Sequence, residues 1–109
     1  MNFNINLSKS DCDAVLFALS LLPEYQVEEE IPQAQADINT CLCISATKKI
    51  SLRKTDLTEN EWRVIAAALV LVQQIAYGNF AADAADKAEC GKYFFTVNSL
   101  IPKLPSFLA

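Results

Sequence analysis

Val64-Ile65-Ala66-Ala67-Ala68-Leu69-Val70-Leu71-Val72 is an unbroken apolar run in the middle of a 109-residue chain. It is too apolar for a helix with one face in water, and it falls short of the ~18 apolar residues a membrane-spanning helix needs. It therefore predicts a helix buried on more than one side, inside a bundle or between subunits. Leu57-Thr58-Glu59-Asn60-Glu61-Trp62 supplies its start: Thr58 is a hydroxyl N-cap, Glu61 completes a capping box, and Leu57 with Trp62 takes the hydrophobic-staple positions. Gly78-Asn79 supplies its end. The helix so bounded covers about 59–77 and is roughly 30 Å long. Trp62, Ile65, Leu69, Val72 and Ala76 share one face, and Ala66, Ala67 and Val70 leave the opposite side only weakly polar despite Arg63, Gln73 and Gln74. This is the expected central helix.

The same opening occurs fifty residues earlier. In Leu7-Ser8-Lys9-Ser10-Asp11-Cys12, Ser8 is the N-cap, Asp11 the acid three residues on, and Leu7 with Cys12 the staple. The correspondence continues through Ala14/Val64, Val15/Ile65, Ala18/Ala68, Leu19/Leu69, Leu21/Leu71 and Leu22/Val72. An old duplication of a helical hairpin accounts for it, and so does shared helix chemistry, because the pairing does not extend convincingly past Leu22. This first helix should run from Lys9 to about Leu22, where Pro23 stops it, with Cys12, Val15, Ala18, Leu19 and Leu22 inward. Leu16 and Phe17 fall off that stripe and imply a second contact.

Pro32 suits the first turn of another helix, with Ala34, Ile38, Cys41, Leu42 and Ser45 at helical spacing to about Lys49. Part of this segment also fits strand. Thr40–Ile44 reads as a short buried strand, while Lys49–Leu52 and Phe3–Leu7 alternate with period two, so a ribbon of residues 3–7 and 49–53 is an alternative. A last helix is expected over Ala81–Leu100, with Cys90, Phe94, Val97 and Ile101 as its seam, widened by Tyr93 and Leu100, before Pro102 and Pro105. The apolar tail Leu104–Leu108 should dock on a groove. Two glycines and four prolines argue against a turn-rich β fold. The expected architecture is mainly α, a four-helix antiparallel array forming a single domain over residues 1–109.

Hydrophobic residues make up 52% of the chain and charged residues 20%, which excludes a disordered tail. A mean hydropathy of +0.20 implies apolar surface that another copy or a partner covers. The net charge of −4 is uneven, with −6 over residues 1–46 and +2 over 47–109. An acidic chain without a concentrated basic stripe is not expected to bind nucleic acid. The N-terminus has no charged segment leading into an apolar one, and no stretch is long enough to span a bilayer, so a cytoplasmic protein away from membranes is expected.

The chain contains no histidine, so Ser-His-Asp and Cys-His catalysis are impossible, and no Gly-rich phosphate loop is present. Asp83 with Asp86, and Asp11 with Glu24, are formal carboxylate pairs for acid–base work, although acids at helix starts serve capping alone. Cys41-x-Cys43 is the only close cysteine pair. On a helix the two thiols point about 200° apart and cannot share an ion; on a strand they share a face. Cys12 and Cys90 read as small core residues. No cofactor, metal or catalytic residue is expected.

The residues then predict a non-enzymatic helical protein acting through protein–protein contacts, an adaptor or regulator, self-associating as a homodimer or binding another protein. Its candidate interface is Phe17, Trp62, Ala66, Val70, Tyr77, Phe95 and Phe107, oriented by acidic Glu28, Glu29 and Glu30 and basic Lys48, Lys49, Arg53 and Lys54. Two alternatives make different demands. An acidic inhibitor imitating nucleic acid, or binding a basic protein, needs the carboxylates of residues 11–37 on one exposed face. A module for an apolar small molecule needs an enclosed aromatic cavity.

Overall fold

A computed structural model describes residues 2–3, 7–25, 32–54 and 56–104. Its elements are β1 (Asn2–Phe3), α1 (Lys9–Tyr25), α2 (Gln33–Ser51), β2 (Leu57–Thr58), α3 (Glu59–Tyr77) and α4 (Ala84–Leu100), with a final 3-10 turn over Ile101–Lys103. The fold is mainly α.

α3 has the bounds its sequence signals set. Thr58 Oγ1 accepts from the Glu61 N–H at 3.2 Å, and the Glu61 carboxylate accepts from the Thr58 N–H at 2.9 Å, a complete capping box. At the other end Gly78 takes φ 83°, and its N–H and that of Asn79 bond to Ile75 and Gln74 carbonyls, closing the helix. α3 packs on all three other helices. Trp62, Ile65, Ala68, Leu69, Val72 and Ile75 have essentially no exposed surface, which accounts for the breadth of the apolar run.

α1 continues past the expected stop. Pro23 lies inside its last turn, where the missing N–H costs one bond to Leu19 and no more. Tyr25 compensates: it is buried, its hydroxyl donates to Asp86 on α4, and its ring meets Phe80 edge-on at 5.7 Å. Phe17, off the inner stripe, stacks on Tyr93 at 4.8 Å.

α2 settles the strand question. Residues 40–44 and 49–51 are helical, so the 3–7 with 49–53 ribbon is not formed; Asn2–Phe3 pairs antiparallel with Leu57–Thr58 instead. Arg53 at φ 60° ends the helix, with the N–H groups of Arg53 and Lys54 bonding back to the Ile50 and Lys49 carbonyls. The expected stripe of this helix is rotated away from the core. Ala34, Ile38, Cys41 and Ser45 are exposed and only Leu42 packs, half-buried, against the core, whereas Cys43, Ala46 and Ile50 are buried. Lys49 supplies the reason, because its bond to Glu61 fixes the rotation of α2.

Contacts between helices set their directions. Phe17 and Tyr25 of α1 meet Tyr93 and Asp86 of α4, and Tyr77 and Gln73 of α3 meet Phe94 and Asn98. Both helices therefore run antiparallel to α4 and parallel to each other. α2 and α4 each pack on both members of this central pair. α4 starts later than expected, at Asp83, whose carboxylate accepts from the Asp86 N–H at 2.9 Å. Among the described residues no helix is long and apolar enough to cross a membrane.

Candidate association surface

The best-built polar site is structural. Glu61 is 2% exposed, and its carboxylate accepts from Ser45 Oγ at 2.7 Å and Lys49 Nζ at 2.7 Å, besides the Thr58 N–H. Burial pushes its pKa up, but the bonds from Lys49, Thr58 and Ser45 outweigh burial and hold the carboxyl below its ordinary value. Both oxygens of this carboxylate accept from donors of the fold, Oε1 from Lys49 and the Thr58 N–H and Oε2 from Ser45.

The other formal carboxylate pairs are occupied in the same way. Asp11 is buried and exchanges two bonds of 3.1 Å with Ser8. Glu24 is exposed at the far end of α1, roughly 20 Å along the helix axis. Asp83 caps α4, and Asp86 receives the Tyr25 hydroxyl, which pushes the phenol up to about 12, with burial adding to the effect. Cys41 is exposed and Cys43 buried, on opposite sides of α2. Burial pushes Cys43 up to about 11; it does the same to Cys90, where Asp86 and Glu89 add to it. Among the described residues no three of Cys, Asp and Glu gather to hold a metal ion.

The seven candidate interface residues divide. Trp62 is 0% exposed and packs the core of a single chain, so it offers no surface to a second copy. It occupies a staple position at the start of α3 together with Leu57, also fully buried. Phe17 is half-buried under Tyr93. Ala66 is half-buried and Val70 exposed, and both line a groove of about 350 Å³ with Leu22, Ala67, Leu71, Gln74 and Phe80. Tyr77 and Phe95 are 56% and 83% exposed. They sit at the two ends of an aromatic step in which Phe94 meets Tyr77 at 5.0 Å and Phe95 at 5.7 Å, both edge-on. Phe107 lies outside the described residues.

Of the charged residues, Lys48, Arg53 and Lys54 are exposed, while Lys49 is taken up by Glu61. Glu28, Glu29 and Glu30 lie outside the described residues.

A second apolar surface was missed in the sequence. The outer side of α2 carries Ile38 and Ile44, and Leu52 follows at its end; they are 54%, 66% and 59% exposed. Two apolar stripes of similar weight run along α2, and only the Glu61 carboxylate opposite Lys49 and Ser45 distinguishes the buried one. Two further grooves, of about 380 Å³ each, flank this helix, one lined by Leu22, Ile38, Leu42, Arg63 and Val64 among others and one by Leu16, Leu19, Pro23, Cys43 and Ile44 among others. Neither contains an aromatic ring.

No protein family, curated protein or solved structure matches this chain.

Proposed function

We propose that this chain is a non-enzymatic helical protein that works through protein–protein contact, as an adaptor or regulator, and that its first partner is a second copy of itself. The observation that carries this reading is the aromatic step Tyr77–Phe94–Phe95. An almost fully exposed phenylalanine loses roughly 2–3 kcal/mol of available burial, and an edge-on pair on a solvated surface recovers only part of that. Val70, also exposed, lies two turns before Tyr77 on the same face of α3, with Gln73 and Gln74 between them. A parallel pairing of two such surfaces across a two-fold axis buries rings against rings, the composition that anchors protein interfaces. Lys48, Arg53 and Lys54 would orient the encounter with acidic segments.

Phe95→Ser tests the reading. Sedimentation should show the parent associating and the variant dissociating at least tenfold more readily, with an unchanged helical circular-dichroism spectrum. Equal association of the two proteins would remove Phe95 from the interface and the reading with it.

A further inference from the structure

We infer that the chain is two copies of one helical hairpin, α1–α2 and α3–α4, folded together about a pseudo-two-fold axis that runs along the α1–α3 contact. The burial pattern is the first support. α1 buries residues 11, 12, 14, 15, 18, 19, 21, 22 and 25, and α3 buries 61, 62, 64, 65, 68, 69, 71, 72 and 75. Every buried position in one helix has its counterpart fifty residues on, and no position is left over in either. An amphipathic helix has a buried stripe, but it does not dictate the same nine positions, nor a buried acid at the third position of both.

The starts match in chemistry as well as in place. Ser8 and Asp11 form the reciprocal pair of bonds that Thr58 and Glu61 form. The correspondence then runs past Leu22, where the sequence alone lost it. Shifted by fifty, α2 (Gln33–Ser51) falls on α4 (Ala84–Leu100) to within one residue at each end, and Ile50 and Leu100 are buried alike; the other buried positions have drifted, Cys43 and Ala46 falling on half-buried Tyr93 and Thr96, and Cys90 and Val97 on half-buried Thr40 and Thr47. Packing follows the same rule. α1 meets α2 as α3 meets α4, α1 meets α4 as α3 meets α2, and the parallel pair α1–α3 lies between. A two-fold relation exchanges these contacts among themselves, as the matched burial of α1 and α3 requires. Ala18 and Ala68, both 0% exposed, are small residues at equivalent positions of the two central helices.

The two copies differ most where Glu61 is held. Its partners on α2, Ser45 and Lys49, correspond to Phe95 and Ser99 on α4, so the second copy has a phenylalanine where the first has the hydroxyl that bonds the buried acid. The first copy closes without a ring at this position. The shared plan therefore does not call for Phe95, a conclusion independent of the proposed function.

Methyl–methyl nuclear Overhauser contacts in the parent protein test the axis. Every contact between α1 and α3 should have a counterpart with the two positions exchanged: a Val15–Leu69 contact, for instance, should be matched by Leu19–Ile65. Contacts without their exchanged counterparts, contacts in antiparallel order, or none between the two helices would overturn the inference.

Discussion

Lys49 on α2 places its ammonium 2.7 Å from the carboxylate of Glu61, at the start of α3, where the same carboxylate also caps its own helix. One side chain thus closes α3 and fixes how α2 lies on it. Replacing Glu61 by Ala should destabilise the fold by about 2–3 kcal/mol, less than a fully buried pair because Lys49 is 28% exposed and can reach water. Glu61→Gln, which can still cap, should cost about 1–2 kcal/mol. Denaturant titration at neutral pH measures both.

The same carboxyl sets an acid limit. Its folded pKa is below its ordinary value, so its contribution is present above the ordinary carboxylate range and is lost as pH falls through the folded value. The parent should lose melting temperature between neutral pH and pH ~3 more steeply than Glu61→Gln, as thermal melts across that range would show.

Tyr25 acts at the opposite end of the scale. Its phenol is raised to about 12 from 10.0, so the stabilisation is intact below pH 10 and disappears as pH rises toward 12. Tyr25→Phe removes the bond to Asp86 and should cost about 1–2 kcal/mol at pH 7. Above pH 10 the gap between parent and variant should narrow. A constant gap would mean that the hydroxyl is not the source of the stability.

Thiol labelling separates the four cysteines. Cys41 is exposed, while Cys12, Cys43 and Cys90 are buried with pKa values raised chiefly by burial. One alkylation per folded chain, located at Cys41 by mass spectrometry, is the expected result, with the other three reacting only in denaturant. Rapid modification of Cys43 would contradict the rotation of α2 described above.

That rotation is the part of the fold hardest to read in the chain, and the reason is local. α3 was legible to the residue because Thr58, Glu61 and Gly78 mark its ends and nine apolar residues in succession leave no choice of face. On α2, Ala34-Ile38-Cys41-Leu42-Ser45 and Cys43-Ala46-Ile50 are both credible inner stripes, and the choice between them is made by a carboxylate on another helix. Pro23 misled for a related reason: its cost depends on whether the turn it weakens is held elsewhere, and Tyr25 holds it to α4. The surface was half legible. Val70, Tyr77 and Phe95 are exposed as an interface requires, but Trp62 is spent on the core, and the exposed Ile38, Ile44 and Leu52 follow from the rotation of α2.

Arg53 offers a gain in stability. It holds φ 60° at the end of α2, a conformation that is strained for a side-chain-bearing residue and free for glycine. Gly78 occupies the same place at the end of α3. Arg53→Gly should stabilise the fold by about 0.5–1 kcal/mol, seen as a rise in melting temperature at neutral pH.

Self-association is the claim on which the functional account depends, and absolute molar mass by light scattering tests it most directly. The measurement spans about a hundredfold dilution, in reducing buffer at low and high salt. The account predicts twice the mass of one chain, 24 kDa against the monomer's 12.0 kDa, persisting in high salt because rings rather than charges form the contact. A mass of one chain at every concentration would contradict it.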